Sequence, residues 1–168
     1  MKQALQALMQ LRDEGTLARF AVGGAVAASF YSEAVATEDL DVFAFMAPSP
    51  GGLLVLTPLY DRLKTLGGVV HAEHVVIGGW PVQILPAYTP LVEEAIVRAR
   101  DQEFAGLRVP VVGAEYLCAI ALQTGRAKDF ARVHSLITAN AVDMARLKSI
   151  IAEHALIDRW NSYVKRYD

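Results

Sequence analysis

Through residues 2–13 the apolar positions Leu5, Leu8, Met9 and Leu11 recur near helical spacing, and Gly15 closes the helix they predict. Residues 19–22 then read as a short buried strand. Gly23-Gly24 follows at once, and the small residues over 25–31 predict a helix lying close against a sheet. Leu40–Met46 is the next strand, led in by Thr37 and Glu38. Residues 48–52, Pro-Ser-Pro-Gly-Gly, predict a turn, and 53–66 a moderately amphipathic helix stopped by Gly67-Gly68.

Two β-rich runs, 69–77 and 80–85, are separated only by Gly78-Gly79, which predicts a tight hairpin with a primed turn. That turn sets Ile77 opposite Trp80, Val75 opposite Val82 and His74 opposite Gln83. Pro90 opens a helix over 91–98 that carries Glu93 and Glu94 toward its front, a strand covers 107–112, and helices are expected over 113–124, 127–139, 143–154 and 156–166. The expected fold is α+β, with a mixed β-sheet flanked by helices in residues 1–112 and a C-terminal helical bundle over 113–168, packed as a single unit.

Composition narrows the function classes. Of 168 residues, 54% are hydrophobic and 20% charged, too apolar for a disordered chain. The longest apolar runs, such as 20–30, reach about half the ~20 residues of a membrane span, and the first residues lack a signal-peptide core, so a cytoplasmic protein with no membrane contact is expected. The single Cys118 rules out an internal disulfide and sits in an apolar run that predicts a buried thiol. Net charge is -2, made up of -3 over residues 1–84 and +1 over 85–168, which is not the footprint of a stand-alone nucleic-acid binder. Neither a P-loop, nor a dinucleotide glycine motif, nor a local nucleophile signature is present.

The chemistry concentrates in a few positions. Asp39 and Asp41 are one residue apart at the start of a strand, so their carboxylates share a face. Either they hold a divalent metal, Mg²⁺ being the hard cation such oxygens suit, or Asp39 caps a turn and Asp41 is a strand-edge charge. Gly23-Gly24 either brings backbone N–H groups to a polyphosphate or serves only close helix–sheet packing. Arg126, Lys128 and Arg132 cluster near a helix start, able to hold phosphates or to form a solvated face; Lys128-Asp129 is a functional element or a helix-start ion pair. His71 and His74, read as one strand, point to opposite faces, which argues against a zinc pair.

Val22-Gly23-Gly24-Ala25, with fourteen residues between Gly24 and Asp39, then Asp39-Leu40-Asp41-Val42, resembles the nucleotidyltransferase superfamily with a DNA polymerase β-like fold. Further stretches, Val82-Gln83-Ile84-Leu85-Pro86, Leu91-Val92-Glu93-Glu94-Ala95 and Gly125-Arg126-Ala127-Lys128-Asp129-Phe130, are similar to small bacterial members related to the AbiEii abortive-infection toxins. The resemblance implies a Mg²⁺ site on Asp39 and Asp41, a nucleoside triphosphate held with help from Gly23, Gly24, Arg126 and Lys128, and transfer of a nucleoside monophosphate to a hydroxyl on RNA, protein or a small molecule. It also implies an antitoxin-like partner protein. The family pattern asks for a third carboxylate on a neighbouring strand. Gln83 stands there, and an amide cannot act as a general base. Glu73 is a replacement candidate on the wrong face, and His74, opposite Gln83, is a better-placed base. The alternative is a catalytically degenerate protein of the same fold that binds nucleotide or a partner.

Overall fold

The computed structural model describes residues 1–33, 36–46, 56–71 and 74–167. The expected turn at 48–52, the front of the helix expected from residue 53, and Glu73 lie outside the described residues.

Periodic apolar residues set the helices and alternation sets the strands. The chain runs α1 (Lys2–Asp13), β1 (Leu17–Val22), α2 (Gly24–Ala28), β2 (Leu40–Met46), α3 (Thr57–Thr65), β3 (Val69–His71), β4 (His74–Ile77) and β5 (Trp80–Pro86). It continues through α4 (Pro90–Val97), β6 (Arg100–Phe104), β7 (Leu107–Val111), α5 (Ala114–Thr124), α6 (Ala127–Thr138), α7 (Met144–Glu153) and α8 (Ile157–Tyr167). Local chemistry fixes several ends. The Thr89 hydroxyl accepts the Val92 N–H at 3.3 Å with Pro90 in the first turn of α4, and Gly125 ends α5 at a φ of +73°. Asp143 caps α7 by accepting the N–H groups of Ala145 and Arg146 at 2.9 and 3.1 Å.

Seven strands form one mixed sheet in the order β3-β4-β5-β2-β1-β7-β6. β2 and β5 run parallel, as do β1 and β7; the remaining neighbours are antiparallel. The hairpin register expected from Gly78-Gly79 is observed, with Ile77 opposite Trp80 and Val75 opposite Val82, and both glycines at positive φ. Residues 69–77, expected as one strand, are instead two antiparallel strands that pair His71 directly with His74. The two histidines are therefore cross-strand neighbours on one face, not residues on opposite faces of a single strand.

Alternation along β2 and β5 divides the sheet's surfaces. Leu40, Val42, Ala44, Val82 and Ile84 are buried on one face, where the end of α3 approaches Val75. The other face carries Asp41, Phe43, Gln83 and Leu85 and is covered by α4, α5 and α6. Cys118, in α5, is fully buried, and burial pushes its thiol far above the ordinary range. No described helix is long and apolar enough to cross a membrane.

Candidate functional site

The site grows from the junction of β1 and α2. Gly23 N–H donates to the Asp41 carbonyl at 2.9 Å, extending the β1–β2 ladder past Val22. A side chain on Gly23 would run into the Phe43 ring. Gly24 then turns the chain at a φ of +58°, and a Cβ there would overlap the Asp41 carboxylate at Oδ2. The double glycine is thus required twice, once for a left-handed backbone and once because the main chain lies against an acid.

Asp41 is paired across the parallel β2–β5 ladder with Gln83, so carboxylate and amide sit side by side on one face. They border a cavity of about 250 Å³ whose rim includes Gly24, Tyr88, Arg126 and Arg132. Burial pushes the Asp41 carboxyl above its usual range, and the charge of Asp39 pushes it the same way. Arg132, Lys128 and Arg126 pull it back. Asp39 lies one residue before β2; the Thr37 hydroxyl donates to its Oδ1 at 3.0 Å. Asp39 does not line the cavity but is near enough for its charge to act on Asp41, so the two carboxylates and the Gln83 amide oxygen are the hard oxygens available beside it.

Three solved structures share this architecture at low sequence identity. The antibiotic-resistance factor ANT(2'')-Ia in solution superposes with a TM-score of 0.57 at 18% identity, over 99% of this chain and 96% of that one. The crystal structure of ANT(2'')-Ia with adenylyl-2''-tobramycin gives 0.53 at 16% identity, over 98% and 97%. An antigenic nucleotidyltransferase-like protein from Paracoccidioides brasiliensis gives 0.51 at 17%, over 98% and 91%. The fold is that of a nucleotidyltransferase. No protein-family model matches the sequence, and a search of curated proteins finds no match.

Within this nucleotidyltransferase fold the other predicted residues separate. Arg126 is on the cavity rim, its Nε donating to Asp129 Oδ2 at 2.7 Å while the Arg126 backbone N–H reaches the same oxygen at 3.2 Å. That hydrogen bond, with desolvation opposing it, raises the pKa of the guanidinium further. The helix-start ion pair is therefore Arg126 with Asp129. Lys128 points elsewhere, into a second cavity of about 480 Å³ lined also by Thr37, Glu38 and Arg132. Arg132 borders both cavities. His74 is on β4, beyond Gln83, and is not among the residues that line the Asp41 cavity.

One residue was read with the wrong partner and one escaped the sequence. Asp129, 1% exposed, is the one buried charged side chain among the described residues, and it holds Arg126 and, at 3.7 Å, Arg132. The signal was available: positions 126, 129 and 132 recur at helical i,i+3 spacing around one acid. Tyr88 follows the end of β5 and carries no motif.

Proposed function

We propose that this chain is a metal-dependent nucleotidyltransferase that moves a nucleoside monophosphate from a nucleoside triphosphate to a hydroxyl acceptor. The observation that carries the reading is the Asp41 carboxylate, packed against the left-handed Gly24 backbone, beside the Asp39 charge and within reach of the charges of Arg126, Lys128 and Arg132. Asp39 and Asp41 would hold Mg²⁺, which when bound neutralises the triphosphate and polarises its α-phosphorus. Arg126 and Arg132, on the rim of the Asp41 cavity, would take the phosphate oxygens by charge-assisted hydrogen bonds, with Lys128, in the adjoining cavity beside Arg132, adding its charge. The acceptor oxygen forms a bond to the α-phosphorus as the bond to the bridging oxygen breaks, and pyrophosphate leaves.

Gln83 occupies the third position beside Asp41 and offers an amide oxygen and two N–H donors, which orient water or a phosphate oxygen but take no proton. His74 is two strand spacings, about 10 Å, from Asp41 and would receive the acceptor's proton through water. ANT(2'')-Ia, seen with an adenylylated tobramycin, makes an aminoglycoside hydroxyl one acceptor to try, beside RNA and protein.

Melting temperature with Mg²⁺ and each of the four triphosphates identifies the nucleotide, and pyrophosphate release with candidate acceptors measures transfer. No stabilisation by any triphosphate with Mg²⁺ would sink the proposal. Gln83 also favours a second reading, a protein that binds nucleotide without turnover; stabilisation with no pyrophosphate from any acceptor selects it. If the AbiEii likeness extends to toxicity, expression arrests growth and Asp39→Ala relieves the arrest.

A further inference from the structure

At the N-terminal end of α5, before the stretch from Leu117 to Thr124 that lines the Asp41 cavity, lies a small polar cavity of about 90 Å³. It is the smaller of the two cavities that flank α5, the Asp41 cavity being about 250 Å³. Arg98, Arg100 and Arg146 converge on it from α4, β6 and α7. Arg98 reaches Glu94 only at 4.0 Å, and that carboxylate is already occupied by the Tyr116 hydroxyl at 2.7 Å and His154 Nε2 at 3.0 Å. Among the described residues Arg100 and Arg146 make no ion pair; Arg146 lies over the Tyr116 ring. The one acid in the wall, Glu115, accepts the Asp143 N–H at 3.1 Å.

A second observation is independent of these charges. The Tyr31 hydroxyl borders the same cavity, is buried, and makes no hydrogen bond of good geometry. Burial raises its pKa, with Gln102 and Arg100 near enough to draw it down. Gln102, in the same wall, is its near polar neighbour, at a geometry too poor to satisfy the hydroxyl fully. The first turn of α5 completes the wall, and its N-cap, Gly113, offers no side chain to the free N–H groups there.

We propose that this cavity binds a single tetrahedral oxyanion, a phosphate group held by Arg98, Arg100 and Arg146 with the Tyr31 hydroxyl donating. Guanidinium forks match phosphate oxygens bidentately, and a dianion balances three converging arginines while giving the Tyr31 hydroxyl a well-aligned acceptor. The site is independent of the proposed transfer activity.

The test titrates inorganic phosphate, and separately glycerol 3-phosphate, into the full chain at constant ionic strength, by calorimetry and by melting temperature. Saturable binding is expected, weakened about tenfold or more by Arg100→Gln and by Arg146→Gln, and unchanged by Arg132→Gln. Arg100→Gln lies on an edge strand, and its unchanged melting temperature without phosphate serves as the folding control. Tighter binding of the ester assigns the site to a phosphate carried on a larger molecule, and binding of inorganic phosphate alone to the free anion; either supports the site. A response no larger than that to chloride, or one lost in Arg132→Gln and kept in Arg100→Gln, overturns it.

Discussion

Along β2 and β5, neighbouring residues belong to two surfaces with opposite burdens. Leu40, Val42, Val82 and Ile84 bury hydrocarbon and nothing else, whereas Asp41 and Gln83, interleaved with them, face a cavity rimmed by charges. On the first surface every contact favours the folded chain. On the second, folding places a carboxylate where burial and Asp39 disfavour its ionised form. The difference teaches that stability is supplied by one face so that the other can keep a partly buried carboxylate among the cations Arg126, Lys128 and Arg132.

Substitutions can separate the two faces. Leu63→Ala, on the apolar side and fully buried, should cost about 2–5 kcal/mol in urea unfolding. The folded fraction should keep its affinity for Mg²⁺ and triphosphate; a parallel loss of affinity would break the separation. Gly24→Ala comes next, since a left-handed residue with a Cβ costs about 1–2 kcal/mol and its methyl would displace the Asp41 carboxylate. Here stability and Mg²⁺-nucleotide binding should fall together.

Asp41→Asn should move the two properties in opposite directions. A folded-state pKa above the unfolded value of ~3.9 means Asp41 favours folding only at acid pH, and that contribution is lost as pH rises through the higher folded value. At neutral pH the metal-free wild type therefore carries a cost that Asn removes. Its melting temperature should rise, while Mg²⁺-nucleotide affinity drops by about tenfold, or ~1.4 kcal/mol. Melting curves from acid to neutral pH, with and without Mg²⁺, check both signs; a lower melting temperature for the metal-free variant at neutral pH would contradict the account. The smallest effect belongs to Gln83→Glu, where a second carboxylate beside Asp41 should tighten Mg²⁺ a few-fold and lower the metal-free melting temperature slightly.

How much of this was legible in the sequence is shown by two hairpins. Both use a two-residue turn with positive φ at each position, Gly78-Gly79 in one and Ala105-Gly106 in the other. The first was readable to the exact register because only glycine takes that geometry without strain, so two of them announce it. The second was hidden: Ala105 gives no turn signal, and β6 reads Arg-Asp-Gln-Glu-Phe, a polar edge strand with no apolar alternation. Likewise, the helices of the C-terminal half followed from their periodicity, while the neighbouring of Asp41 and Gln83 was implied only by the family resemblance. The sharp return at His71 and His74 was not, because β-branched residues fill both strands and nothing apolar breaks between them. Asp129 does form a helix-start ion pair, but with Arg126 rather than Lys128, for a different reason. Sequence places an acid at a helix start, where it normally meets solvent and amide dipoles, and only tertiary packing converts that position into a buried clasp for two arginines.

The lone Cys118 has a practical consequence. It is sealed within α5, the helix that lies between the Asp41 cavity and the arginine-lined pocket, and its thiolate is strongly disfavoured. A thiol reagent can reach it only when that helix opens, so the rate of modification becomes a stopwatch for opening at the centre of the molecule. No label or engineered residue is needed. A ligand seated at either end of α5 should slow the reaction, and the two ends can be timed independently with the same sulfur atom.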